Sequence, residues 1–139
     1  MKIALRNDLG ELGRLASELE AFAGAHGLPD ATLMALNLAL EELVTNTMSY
    51  GFTGGEAQTI DVSLTLDGDM VRVRVEDTGA PFNPLDQEMP DLDAPLADRP
   101  VGGLGIHLVR SVMDEVHYER AGDRNIVSLA KRVDGGATA

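Results

Sequence analysis

Two runs of alternating apolar and polar residues, joined by Asp67-Gly68-Asp69, constrain this chain more than any other stretch. From Gln58 to Leu66 the residues Val62, Leu64 and Leu66 alternate with polar ones, and from Met70 to Asp77 so do Val71, Val73 and Val75. A period of two marks half-buried strands, and the Asp-Gly-Asp link reads as a hairpin turn. One face of each strand is buried, while the other carries Arg72, Arg74 and Glu76. A second hairpin is predicted from His117–Arg120 and Asn125–Lys131 around Gly122-Asp123, and residues 1–6 form a short strand. Consecutive strands joined by tight turns imply a largely antiparallel sheet.

Helical spacing fills the intervals. Leu9, Leu12, Leu15, Ala16, Leu19, Phe22 and Ala23 recur between Asp8 and His26, with Asp8 as N-cap and Glu11 three residues on. Gly24, Gly27 and Pro29 end that helix. Asp30 caps a second helix predicted to run to Tyr50, with Gly51 as its stop. Leu33, Leu36, Leu40, Leu43 and Thr47 share one of its faces; Ala35, Leu38, Glu42, Asn46 and Ser49 share the next. Gly103 to Met113 is a third helix with Leu104, Leu108, Val109 and Val112 as its apolar stripe. Helices lying outside the hairpins can cover only one face of the sheet. The fold class is therefore α+β, a two-layer α/β sandwich, in a single domain spanning residues 1–139. Residues 134–139 form a frayed tail.

Composition narrows the function. Hydrophobic residues make up 44% of the chain and aromatics 4%, with no Trp, so the core is aliphatic. The absence of Cys excludes disulfides and thiolate metal sites, and His26, His107 and His117 have no metal-site spacing. A net charge of −12 argues against nucleic acid and anionic membrane as partners. A phosphate ligand in so acidic a chain needs Mg²⁺, backbone N–H groups or a local Arg to offset repulsion. Apolar runs are too short to span a bilayer and the first eight residues lack a signal-peptide stretch, so a cytoplasmic location is expected.

Three motifs then carry chemistry. Glu42 and Asn46, four residues apart on a helix, project from one face. The amide oxygen is a reasonable Mg²⁺ ligand, and a carboxylate one turn away can accept a proton from an attacking hydroxyl. Asp77-Thr78-Gly79 follows a strand; a turn-fixed carboxylate can accept from an exocyclic amine such as that of adenine, and Gly79 allows close backbone approach. Gly102-Gly103-Leu104-Gly105 opens a helix, where phosphate can meet backbone N–H groups. Each has a plainer reading: an exposed Glu with a helix-interior Asn, an Asp-x-Gly turn, a flexible hinge. Together and in this order they are the equipment of an ATP site. Residues 80–101, rich in Pro and acids, read as a mobile lid between the last two motifs. Arg99 is the lid cation suited to reach a terminal phosphate, and Arg110 reads as a solvated helix residue.

The ordered set resembles the ATP-binding domain shared by gyrase, heat-shock chaperones, histidine kinases and the mismatch-repair protein MutL. Within that group it is most similar to the small bacterial anti-sigma factor serine kinases. The matching stretches run from Glu42 to Phe52, Asp77 to Pro84, Gly102 to Val116 and Asn125 to Lys131. The resemblance implies a Bergerat-type fold with a mixed, mostly antiparallel sheet, and ATP with Mg²⁺. It implies that Glu42 is the general base, Asn46 the Mg²⁺ ligand, Asp77 the adenine-reading carboxylate with Gly79 beside it, and Gly103 and Gly105 the phosphate-side glycines. It also implies dimerisation, binding of a sigma factor, and phosphorylation of a serine on an anti-sigma factor antagonist. Two positions depart from the pattern. Thr47 stands where the family has a small apolar residue, and Pro81 where many members have a second glycine.

Two other functions fit the same residues. One is an ATP-binding module that sequesters a partner without chemistry; retention of Glu42 weighs against it. The other is the ATP-binding half of a histidine kinase, for which His26 at a helix end is a poor acceptor.

Overall fold

The computed structural model describes residues 1–51, 59–85 and 103–133. The order is β1 (Lys2–Arg6), α1 (Glu11–His26), α2 (Asp30–Asn46), a π-helical turn (Thr47–Gly51), β2 (Thr59–Asp67), β3 (Met70–Asp77), α3 (Gly103–Val112), β4 (Glu115–Ala121) and β5 (Arg124–Arg132). The strands form one sheet, β1-β2-β3-β5-β4, and every pairing is antiparallel. The expected mixed sheet is thus corrected to a purely antiparallel one among the described residues. β3 and β4 do run parallel, but β5 lies between them and pairs antiparallel with both.

Register sets inward rows across the sheet, of which three reach β4. Ile3, Val62, Val75, Val127 and Tyr118 make one row, and Leu64, Val73, Leu129 and Val116 the next. The third is Leu5, Ile60, Asp77, Asn125 and Arg120. It is apolar at β1 and β2 and polar across β3, β5 and β4, so the sheet itself brings a polar cluster to one end of the apolar layer.

The helices pack on these rows. Leu15, Leu19 and Phe22 of α1, Leu36, Leu40, Leu43 and Val44 of α2, and Ile106 and Val109 of α3 join the strands in one aliphatic core. Each such fully buried side chain contributes about 1.5–3 kcal/mol. The outer face stays polar, where Arg124 bridges Asp61 at 3.1 Å and Glu76 at 3.0 Å.

Several local expectations are corrected. The N-cap of α1 is Gly10, because the Asp8 carboxylate turns back to accept the Gly10 N–H at 2.9 Å in an Asx-type turn. Glu11 is instead buried between Arg6 and Arg14, with contacts of 3.0 and 2.8 Å. Its pKa is pulled down to about 2 by hydrogen bonds from Arg14 first and Arg6 second. Only Gly27 stops α1: it takes φ 62°, and the Leu28 N–H reaches back to Ala23 O at 2.9 Å. Pro29, not Asp30, caps α2, its carbonyl accepting from Thr32 and Leu33. Leu9 and Leu108, read as apolar-face residues, are exposed.

Candidate nucleotide site

α2 ends sooner than its periodicity suggests. The α-helix stops at Asn46 and the chain widens into a π turn through Gly51. Thr47 accounts for part of this: its hydroxyl donates to the Leu43 carbonyl at 2.9 Å, competing for the acceptor of the last regular turn. Asn46 is therefore the last α-helical residue and not a mid-helix one, where an asparagine is better tolerated. π segments are frequent at functional sites because they re-aim side chains.

Asn46 is 4% exposed, and its Nδ2 donates to Glu42 Oε1 at 3.3 Å. A carboxylate only accepts, so the amide nitrogen faces Glu42 and the carbonyl Oδ1 is left over. No hydrogen bond engages that Oδ1 among the described residues. A neutral oxygen beside a carboxylate fits a hard cation such as Mg²⁺, which takes few protein ligands and fills the rest with water and phosphate. No cluster of three or more His, Cys, Asp or Glu suited to a metal exists among the described residues, so a metal here depends on the ligand's own oxygens.

Asp77 closes β3 at 6% exposure. Its Oδ1 accepts from the Gly79 N–H at 2.9 Å and from Asn125 Nδ2 at 2.9 Å. The plain turn and the ligand reading thus use different oxygens: Oδ1 closes the turn, and no protein donor reaches Oδ2 among the described residues. Gly79 does not adopt a positive φ, so the turn does not itself demand glycine.

The start of the expected lid is tied to the body. Arg120 Nη1 donates to Gly79 O at 2.7 Å, Asn125 Nδ2 to Ala80 O at 2.9 Å, and the Phe82 N–H to Asn125 Oδ1 at 3.1 Å. Leu85 is buried in the core, and Arg110 Nη2 donates to its carbonyl at 2.9 Å. Arg110 is exposed, as its sequence context suggested, and its hydrogen bond also straps α3 to this segment. Residues 86–101, including Arg99, lie outside the described residues, as does Gly102. Gly103, Leu104 and Gly105 form the first turn of α3, and a helix start presents backbone N–H groups that suit an anion.

The structure brings Glu42 to Asn46 and Asp77 to Gly79, and no hydrogen bond links the two pairs among the described residues. Sequence reading missed Asn125, Tyr118, Arg120 and the role of Arg110. The hairpin turn at Gly122 pairs Asn125 with Arg120, and that much was open to inspection. The pairing of β5 with β3, which sets Asn125 against Asp77, has no local signal.

Solved structures share this arrangement of helices on an antiparallel sheet. The RsbU and RsbW domains of a Mycobacterium tuberculosis protein align with a TM-score of 0.68 at 16% identity, over 96% of this chain and 31% of that one. A blue-light activated histidine kinase from Erythrobacter litoralis aligns with a TM-score of 0.60 at 20% identity, over 94% of this chain and 43% of that one. These likenesses show a shared fold. Residues 5–131 match the family described as Histidine kinase-like ATPase domain, and the chain belongs to it.

Among curated relatives, the serine/threonine-protein kinase BtrW of Bordetella bronchiseptica is 31% identical over 68% of this chain and 66% of its own length. The serine-protein kinase RsbW of Listeria monocytogenes is 29% identical over 84% of this chain and 75% of its own. The anti-sigma F factor of Bacillus cereus is 26% identical over 81% of this chain and 82% of its own. No helix among the described residues is long and apolar enough to cross a membrane.

Proposed function

We propose that this chain is an ATP-dependent protein-serine kinase of the anti-sigma type. It binds a sigma factor and phosphorylates a serine on that factor's antagonist, in the cytoplasm and without nucleic acid or membrane contact. The names of its relatives support the partners, and family membership supports ATP use. The observation that carries the reading is the contact between Glu42 and Asn46 at 3.3 Å.

In this reading Asp77 Oδ2 accepts from the adenine amino group, and Gly103 to Gly105 present N–H groups to phosphate. Asn46, with its free Oδ1, would hold Mg²⁺, which neutralises charge on the phosphates when bound. Glu42 accepts the proton of the target serine as its oxygen bonds to the γ-phosphorus. The bond from that phosphorus to the β–γ bridging oxygen breaks, and ADP leaves. Little covalent work falls to the protein beyond positioning and taking this proton.

Glu42→Gln tests it. The variant is expected to bind ATP–Mg²⁺ as the parent does, to recover the same partners in pull-down, and to transfer no phosphate to a serine-bearing antagonist. Unchanged transfer removes Glu42 from the mechanism. Partner recovery by the parent chain with no transfer at all would make it a sequestering module.

A further inference from the structure

A helix that covers a sheet with one face is expected to turn a polar face to solvent. α1 does so, exposing Arg14, Ser17, Glu18 and Glu20. α2 does not. Met34 is 71% exposed and Leu38, one turn further on, is 39% exposed. These two are not core residues at the edge of a contact, since Ala35, Leu36, Ala39, Leu40 and Leu43 fill the buried side of the same helix.

Met34 and Leu38 stand two turns and one turn before Glu42, at the i, i+4, i+8 spacing that keeps side chains on one side of a helix. Along the axis they lie about 12 Å and about 6 Å from it. Glu42 is half-buried and Asn46 is buried, so Glu42 sits where this exposed side of α2 meets the candidate site. The charges on α2 are all of one sign: it holds Asp30, Glu41 and Glu42 and no Lys or Arg. Asp30 and Glu41 are exposed, and none of the three carboxylates is ion-paired among the described residues. A partner that fits this face carries an apolar spot ringed by Lys or Arg. A standard protein interface covers about 800 Å² on each side, so a folded body that sets a serine at Glu42 also overlies the two preceding turns of α2.

We propose that Met34 and Leu38, with Glu41 beside them, are the docking surface for the serine-bearing protein substrate. They anchor an apolar spot of that protein, its basic rim meets the carboxylates of α2, and its serine is thereby delivered to Glu42. The inference rests on the reading of Glu42 as the general base. It makes α2 the element that selects the substrate as well as one that reacts with it.

The test is steady-state kinetics of the full chain with ATP–Mg²⁺ and two probes: the purified serine-bearing protein that the parent phosphorylates, and a short peptide carrying the same serine. Alanine favours a helix and truncation at exposed positions changes stability little, so the double variant Met34→Ala, Leu38→Ala is expected to keep the parental Tm and ADP affinity. Its KM for the intact protein is expected to rise about tenfold with kcat within about twofold, while KM for the peptide stays parental. Glu41→Lys is expected to raise KM for the intact protein about fivefold and to flatten its dependence on salt. Leu9→Ala, at another exposed leucine, is expected to match the parent throughout.

A folded double variant with parental KM for the intact protein overturns the proposal. So does an equal rise for protein and peptide, which would mean that the substitutions disturb Glu42 and not docking. If the double variant does not fold, parental KM and salt dependence in Glu41→Lys overturn it instead. Loss of a parental dimer in sedimentation, with transfer unchanged, would assign the face to a second copy of this chain; loss of sigma-factor recovery, with transfer unchanged, would assign it to that factor. Either result overturns the proposal while the kinase reading stands. A parent chain that phosphorylates no serine, or a Glu42→Gln variant that transfers like the parent, means that the reading of Glu42 has failed, and the docking proposal falls with it.

Discussion

Replacing Asp77 with asparagine exchanges one oxygen for an NH₂ at nearly constant shape, and the structure dictates which oxygen is lost. Oδ1 accepts from the Gly79 N–H and from Asn125 Nδ2, both at 2.9 Å. If the new NH₂ took that position, it would face two donors, at about 1–3 kcal/mol for each unsatisfied group. The amide oxygen therefore keeps the internal side, and the NH₂ replaces Oδ2. Inside the protein, two hydrogen bonds to a charged acceptor become two to a neutral one, a loss of about 1–3 kcal/mol in all. Toward adenine, a charge-assisted bond of about 1.5–3 kcal/mol disappears and a donor–donor conflict of similar size replaces it. The sum of about 3–6 kcal/mol corresponds to about 10²–10⁴ in Kd. Calorimetry with ADP on a variant shown to be folded by circular dichroism measures this. A folded Asp77→Asn that binds ADP within about threefold of the parent would refute the assignment of Oδ2 to the base.

The remaining predictions concern stability. The Glu11 carboxyl is held at about 2 in the fold, by Arg14 first and Arg6 second, against an ordinary 4.5. A depressed carboxyl stabilises above its unfolded value, so this contribution is full above pH 4.5 and lost as pH falls toward 2. Glu11→Gln should therefore lower Tm at neutral pH and flatten the acid side of the Tm–pH profile; parallel profiles for parent and variant would show that the Arg6–Glu11–Arg14 cluster is not the source. Leu40 of α2 is fully buried in the core, and Leu40→Ala should cost about 2–5 kcal/mol in urea unfolding. A cost below about 1 kcal/mol would mean that α2 is not packed as described.

Much of the architecture was open in the residues themselves. The bounds of β3 follow its alternation, and the left-handed φ of Gly27, Gly68 and Gly122 falls where each glycine was read as a stop or turn. Turn chemistry and apolar period act over a few residues, so they can be read one segment at a time. Helix ends were less accurate. Asp8 and Asp30 both have the chemistry of an N-cap, but Asp8 satisfies a nearer N–H and Pro29 starts α2 by its geometry. Glu11 looked like the partner of a capping box and is instead the centre of an ion cluster, because Arg6 on β1 reaches it across the strand-to-helix link.

The candidate site divides along the same line. Glu42 and Asn46 were reached from the helical repeat, and Asp77 with Gly79 from a strand end and a turn; the structure joins each pair by a hydrogen bond, and their roles in a site are proposed. The tertiary structure decided everything that depends on β5 lying beside β3. That pairing sets Asn125 opposite Asp77, lets Tyr118 and Arg120 close around the same turn, and decides that Oδ1 of Asp77 is the oxygen engaged by the protein. Side-chain character is local, but hydrogen-bond partners across a sheet are chosen by the register of strands far apart in the chain.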